Sequence, residues 1–505
     1  MRPSLLITLL GLITLSATAQ KKDYNILTYG AKADKHFKNT KAIQQAVDAA
    51  HNAGGGRVLI PDGNFVTGPF QLRSGVELHL ADNAILLGSA NRMDYPKSGP
   101  LALIYAGGQQ NIAITGTGVI NGQGRELVEN VLYLLSKGEI TDPQWKVKRP
   151  TEKNRPVILS FDNCQNIKVT GITLKDASGW VQNYNKCDNV LIDSMLVQST
   201  AYWNNDGIDI TDSKNVRIIN STFNAADDAI CLKSEDPLAA CENVVVENCI
   251  LRSSASGFKL GTGSIGGFRH IKVKNLTVYN TYRSAIALES VDGAVLEDID
   301  IRDVKATNVG NAIFLRLGHR NTNDRYSTLK HVYIGNVRAD IPAGKPDIGY
   351  PVEGPPPKVP PHNVVPSSIT GIPGHPVEDV VLENIEINYA GGASRDIAEV
   401  KIDNLASVTE NVAGYPEFTM FGELPGWGLY VRHAAGITIK NLKLTVDKVD
   451  FRPACVFDDV KGLKLQKISI PTVNQTPAII LNNVTGMSMQ KMDLPGDLKT
   501  MIKMQ

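Results

Sequence analysis

Cysteine is scarce, six in 505 residues, which excludes the disulfide-dense frameworks that hold small secreted domains together. Cys164, Cys187 and Cys241 each stand three residues ahead of the first apolar position of a repeated strand, which places them in one column of stacked, buried thiols. Neighbouring coils about 4.8 Å apart leave a Cys164–Cys187 bridge sterically open. An excess of charge of either sign is also missing. With 52 basic and 51 acidic residues, net +1, no global field argues for nucleic acid or an anionic membrane. An acidic ligand would have to be read by local positive groups. Long apolar runs are absent beyond the first fifteen residues, so no transmembrane helix is expected. Arg2, the apolar stretch from Leu5 to Leu15 and the small-x-small Ala17-Thr18-Ala19 predict a cleavable secretory leader over 1–19 with Gln20 as mature start. A secreted or periplasmic location follows from that reading.

What the sequence has in abundance is self-similarity. A polar residue, alternating apolar positions, a turn residue and a second short apolar strand recur at Asn166, Asn189, Asn215, Asn243 and His270. The starts are 23, 26, 28 and 27 residues apart. Later copies open at Asp379, Gly436 and Gly462, and an earlier one at Asn111. Two short period-2 strands cannot close a core alone, but stacked coil on coil they bury one continuous apolar column. The Leu-x-x-Leu-x-Leu signature of leucine-rich repeats is missing, and hairpin turns at regular spacing, which a sandwich needs, are missing too. The expectation is an all-β chain, a right-handed single-stranded parallel β-helix.

The open N-terminal end of such a column needs a cover. Residues 40–52 place Ala42, Ile43, Ala46, Val47 and Ala50 on one helical face, with Asn39 as N-cap and Gly54-Gly55-Gly56 as stop. This amphipathic helix is expected to lie over the first coil. The organisation read from the chain is a leader over 1–19, a cap with the first coils over 20–100 and a β-helical catalytic domain over 101–505. Two insertions interrupt the period, at 126–155 and at the proline-rich 345–376, and are expected to wall a cleft.

The chemistry concentrates on two consecutive coils. Asn204-Asn205-Asp206-Gly207-Ile208-Asp209 ends one, and Ala226-Asp227-Asp228-Ala229-Ile230 ends the next. The repeat aligns Gly207-Ile208 with Ala229-Ile230, so Asp206 and Asp228 occupy equivalent positions, with Asp227 and Asp209 beside them. Crowded carboxylates raise the pKa of at least one member. A protonated carboxyl beside an ionised one is what glycosidic hydrolysis by general acid and base requires. Solvated turn aspartates and a calcium site are the other uses of such a cluster.

At these residues the chain resembles the polygalacturonase family, glycoside hydrolase family 28. That family carries Asn-Thr-Asp-Gly-x-Asp, an Asp-Asp pair about twenty residues on, Gly-His-Gly, and Arg-Ile-Lys. Gly30-Ala31-Lys32-Ala33-Asp34 with the capping helix, and Arg155-Pro156-Val157-Ile158-Leu159-Ser160-Phe161, add to the likeness. The resemblance implies inverting hydrolysis of α-galacturonide linkages without a metal or other cofactor, with Asp227 as acid and Asp206 and Asp228 positioning and activating the water. The chain also departs from the pattern. Asn205 replaces the threonine, Ser256 stands where the histidine belongs, and Ala287-Leu288-Glu289 replaces Arg-Ile-Lys.

Counted along equivalent strands, Asp209, Lys233, Lys259, Glu289 and Arg316 alternate onto one face over five coils, a mixed-charge patch suited to an acidic sugar. Trp203 offers a stacking face, and His319 is a ligand group or an ordinary loop histidine. The partner expected is an acidic plant cell-wall polysaccharide or oligosaccharide, homogalacturonan or rhamnogalacturonan, attacked from a chain end by a monomer that neither binds nucleic acid nor inserts into membranes. The rivals are a lyase on the same fold, with calcium on the aspartates and a basic residue as base, and a non-catalytic carbohydrate-binding or adhesive β-helix.

Overall fold

The computed structural model describes residues 22–356, 365–393, 402–472 and 477–505. The leader expected over 1–19 and the proline run at 357–361 lie outside the described residues. Every ladder between named strands is parallel, and the strands stack on three faces of a prism. One face runs through Val76–Leu80, Gln110–Gly116, Gln165–Thr170, Asp188–Asp193 and Lys214–Ile219. A second runs through Ala84–Gly88, Val119–Asn121, Thr173–Lys175, Leu196–Ser199 and Thr222–Ala225. The third carries the site: Val157–Asp162, Gln182–Asn185, Asp209–Thr211, Ile230–Ser234 and Phe258–Ser264. Further on, Gly267–Ser290 and Val295–Leu317 bend through all three faces as single strands. This is the right-handed parallel β-helix that the repeat predicts.

The repeat has a physical reason at each position. Its opening polar residue turns the corner between faces: Asn166, Asn189, Asn215, Asn243 and His270 all have φ between 55° and 58°. Asparagine tolerates this left-handed conformation better than most residues. The apolar position that follows stacks in register as Ile167, Val190, Val216, Val244, Ile271, Ile299, Val332 and Val380, each exposed by no more than 2%. A second corner adds an asparagine ladder, with Asn248 donating to Asn220 (3.1 Å) and Asn275 to Asn248 (2.8 Å).

Helix α1 (Thr40–Asn52) buries Ala42, Ile43, Ala46, Val47 and Ala50 over the first coils. Asn39 holds the N-cap position but makes no side-chain cap bond. Its carboxamide instead accepts from the Lys32 N–H and donates to the Phe37 and Val66 carbonyls, fastening the preceding loop. All six cysteines are free and buried. Cys164 and Cys187 are not bridged, and each thiol is engaged by carbonyls, of Asp162 (3.3 Å) and of Asn185 (3.4 Å). Among the described residues no helix is long and apolar enough to cross a membrane.

Three excursions surround the third face. The first contains α2 (Gly124–Lys137), which buries Leu127, Val128, Val131, Leu134 and Leu135. The second packs Gly354 on the Tyr282 ring and offers the Val352 carbonyl to Ser254 at 2.6 Å. The third, between Gly391 and Leu429, carries no repeat and no proline run, so the sequence reading passes over it. Its Leu405, Val408, Phe418, Met420 and Phe421 form a separate apolar cluster with Ala287 and Phe314 on the outside of the site face.

Candidate active site

The corner leading into the third face is built from small residues in register: Gly207, Ala229, Gly257, Ala285 and Ala312. At Gly207 a Cβ would meet the Ala229 carbonyl oxygen at 2.5 Å, so glycine there lets the Asp206 and Asp228 coils stack closely. The Gly207 N–H donates to the Asp228 carbonyl at 2.8 Å, which fixes the two aspartates at equivalent positions. Both are 4% exposed, and Asp227 is more open.

Two lysines divide the carboxylates. Lys259 Nζ lies 3.0 Å from Asp228 and 3.7 Å from Glu289, while the Ser256 N–H donates to the other Asp228 oxygen at 2.9 Å. Lys233 Nζ lies 3.1 Å from Asp206, bonds Asp209 more closely still, and sits 4.5 Å above the Trp180 ring. Among the described residues Asp206 Oδ1 and Asp209 Oδ2 are buried with no lysine, hydroxyl or amide donor bonded to them, and the two carboxyls interact with each other.

The consequence is a set of carboxyls with unlike affinities for protons. Burial, then the neighbouring charges of Asp206 and Asp228, pushes Asp227 up to about 7. Burial, then Asp209, pushes Asp206 to about 8, and burial raises Asp209 to about 6. Asp228 is just as buried, yet Lys259, Arg283 and Lys233 together overcome that burial and hold it below the ordinary carboxylate range. Burial raises Glu289 to about 7 against the pull of Lys259. The pair Asp227–Asp228 therefore combines a carboxyl that keeps its proton up to about pH 7 with one whose proton affinity is lowered.

The residues singled out in the sequence do not all meet here. Asp206, Asp209, Asp227, Asp228, Lys233, Lys259 and Glu289 do. Ser256 contributes through its backbone. Trp203, 47% exposed, stands at the rim with its ring 5.3 Å from that of Tyr202. Arg316 shares the face but not the site. Its guanidinium, 1% exposed, donates to the carbonyls of Gly371, Glu410 and Asn411 and lies under Phe421, so it pins the third excursion and is covered by it. His319 stacks on Tyr326 at 4.1 Å.

Other residues at the site escape the sequence reading. Arg283 occupies the corner register of Asp227 two coils on, its N–H bonded to the Ala255 carbonyl at 2.7 Å. Its charge acts on both Asp227 and Asp228. Among the described residues its side chain has no ion pair, and Nε is buried and unpartnered. The same register that located the aspartates, continued to the corner before Ala285, is the signal that finds it. Tyr415, from the third excursion, lies over both Arg283 (5.7 Å) and Lys259 (5.6 Å). Arg155, ending the first insertion, donates to the Trp203 carbonyl (2.8 Å) and to Asn204 Oδ1 (2.9 Å), and Asn204 in turn reaches Asp227 (3.4 Å). As for metals, Asp206, Asp228 and Cys231 bring one ligand atom each within 4.8 Å of one another. Lys233 and Lys259 already place ammonium groups on those carboxylates, so the donor set fits a divalent cation poorly.

A parallel β-helix with buried carboxyls of unlike proton affinity on one face defines a class, and sequence comparison supplies the family. The model of glycosyl hydrolases family 28 matches residues 52–344, more than half of the chain, and the protein belongs to that family. The chain is 29% identical over 260 residues to the exo-poly-alpha-D-galacturonosidase of Dickeya chrysanthemi, covering 43% of each protein. It is 28% identical over 268 residues to an exopolygalacturonase of Zea mays, covering 51% of this chain and 60% of that one. The matched region thus spans less than two thirds of either relative. The hyperthermoactive exopolygalacturonase from Thermotoga maritima superposes with a TM-score of 0.58 at 23% identity, over 73% of this chain and 87% of that one, a likeness of fold.

Proposed function

We propose that the protein is a secreted or periplasmic glycoside hydrolase that cleaves α-galacturonide linkages in pectic polysaccharide, homogalacturonan or rhamnogalacturonan, from a chain end and with inversion. The observation that carries this reading is the opposite shift of adjacent carboxyls, Asp227 raised to about 7 and Asp228 lowered, against its burial, by Lys259, Arg283 and Lys233. Asp227 donates its proton to the glycosidic oxygen as the bond to the anomeric carbon breaks. A water attacks that carbon from the other face and gives its proton to Asp228. One water is consumed, and proton exchange with solvent restores both carboxyls. Asp206, held with Asp209 on Lys233, positions the water by hydrogen bonding. Arg283 takes the sugar carboxylate, because among the described residues its guanidinium is the cation at the site without a protein carboxylate bonded to it.

Family membership, and the galacturonide-cleaving names of the two relatives above, support the substrate and the exo mode. A lyase reading needs a neutral basic residue, and Lys259 does not serve, since Asp228 and Glu289 raise its pKa well above the usual value against the burial that would lower it. The test is incubation with galacturonan and rhamnogalacturonan fractions in excess chelator, with products identified by mass. Saturated mono- or disaccharide products support the proposal. Unsaturated products, or activity that requires added calcium, overturn it.

A further inference from the structure

The catalytic face does not use a second basic cavity, near the N-terminal end, between the turn Arg92–Asp94 and the first insertion. It encloses about 370 Å³ and is lined by Arg92, Lys97 and Lys153, by Tyr95 and Ile140, and by Glu139 as the single acid. Lys97, Lys153 and Glu139 are exposed at its mouth, while Arg92 forms its buried wall, 5% exposed.

Arg92 is what makes this cavity unusual. Its guanidinium donates to the carbonyls of Tyr95 (3.2 Å) and Lys153 (3.4 Å), and among the described residues Nε is buried with no partner. Among the described residues no carboxylate lies within ion-pair distance of it. A buried cation facing only carbonyl dipoles is a costly arrangement, and burial pulls Arg92 below the ordinary arginine range. Two lysines beside it raise the local positive potential instead of relieving it. An anion entering from solvent would supply the missing countercharge. The remaining lining mixes apolar Met93, Tyr95 and Ile140 with the polar Thr141 and Asn154, which suits a sugar with apolar faces and a hydroxyl-bearing edge.

We propose that this cavity is an accessory site for an acidic sugar unit, a uronate whose carboxylate meets Arg92, Lys97 and Lys153. The proposal rests on the pectic substrate class argued above. The site is mechanically joined to the catalytic one. Asn154 lines the cavity, and the next residue, Arg155, grips Trp203 and Asn204 beside Asp227. An accessory site here anchors a second stretch of the polymer, or a branch of it, while the chain end is cleaved.

The experiment is calorimetric titration of Asp227→Asn protein with digalacturonate, together with Lys97→Gln/Lys153→Gln in the same background. Arg92 is left intact because it braces the fold. The expected result is two binding events in the first protein and one in the second. On the active enzyme, the double substitution should leave kcat/KM for a trisaccharide within twofold of wild type and lower it at least fivefold on long pectin. One binding event in both proteins overturns the accessory site. An equal loss on short and long substrates also overturns it, because the lysines would then serve the catalytic cleft. Absence of galacturonide hydrolysis by the wild type fails the functional reading instead, and the binding stoichiometry still decides the cavity.

Discussion

Among single residues, the proposed acid Asp227 and the proposed carboxylate partner Arg283 carry the sharpest consequences. Asp227→Asn removes the proton donor without disturbing the backbone bond from Ser253 Oγ to the Asp227 carbonyl. Turnover should fall about 10²- to 10⁴-fold, the usual scale of general acid–base catalysis, with the circular dichroism spectrum unchanged. A loss below tenfold would move the acid elsewhere. In the wild type, activity should decline as pH rises through about 7, where Asp227 loses its proton. Arg283 lowers the pKa of Asp227, so Arg283→Gln should displace that alkaline limb to higher pH. The same substitution removes a charge-assisted contact worth about 1.5–3 kcal/mol. The preference for a galacturonide over the corresponding galactoside should therefore shrink roughly tenfold to a hundredfold. A changed pH limb with an unchanged preference ratio would leave Arg283 an electrostatic neighbour only. Arg316→Met should leave that ratio alone and instead destabilise the fold, because three carbonyls lose their donor. Thermal denaturation read beside the kinetics separates the two arginines.

The elements show how far the sequence could be read. The corners were legible because the left-handed turn writes itself as asparagine, and the capping helix because its buried face recurs at helical spacing. The aspartates were legible because one register places Asp206 and Asp228 at equal heights. That register also places Lys259 and Glu289 on the face, but it does not say what comes down on top of them. Arg316 looked like Lys259 in the pattern. Only the third excursion, whose contacts are non-local and non-periodic, distinguishes a covered cation from an available one. Tyr415 and Arg155 come from outside the repeat and left no periodic trace. The asparagine ladder itself can be measured. Asn248 has φ 55° and bonds both Asn220 and Asn275. Asn248→Ala should cost about 3–4 kcal/mol, adding roughly 1–2 for left-handed backbone to about 1 for each of the two lost hydrogen bonds. Asn248→Gly should cost less, because glycine adopts that conformation freely. Urea denaturation of the pair checks this, and equal losses would show that conformation contributes nothing at this corner.

At the scale of the whole molecule, a parallel β-helix offers a long face that runs past many coils, and an open groove on it would admit the middle of a polymer. Here three excursions converge on the coils that carry the aspartates. The first insertion clamps the Trp203–Asn204 segment through Arg155. The second lays Tyr350 over Arg252 and hydrogen-bonds Ser254. The third brings Tyr415 over Lys259 and buries the outward positions Ala287 and Phe314. The aspartate coils are therefore flanked by the first insertion, by the second excursion beside the Arg252–Ser254 corner and by the third excursion, and the exo mode proposed above supposes that these close one end of the groove. We expect hydrolysis of homogalacturonan to release mono- or disaccharide from the outset, with reducing ends accumulating while viscosity falls slowly. Simultaneous viscometry and product sizing on one sample provide the test. A rapid loss of viscosity with mixed long oligomers at early times would mean that the polymer threads between the walls, and the exo assignment would fail while the acid–base assignment stood.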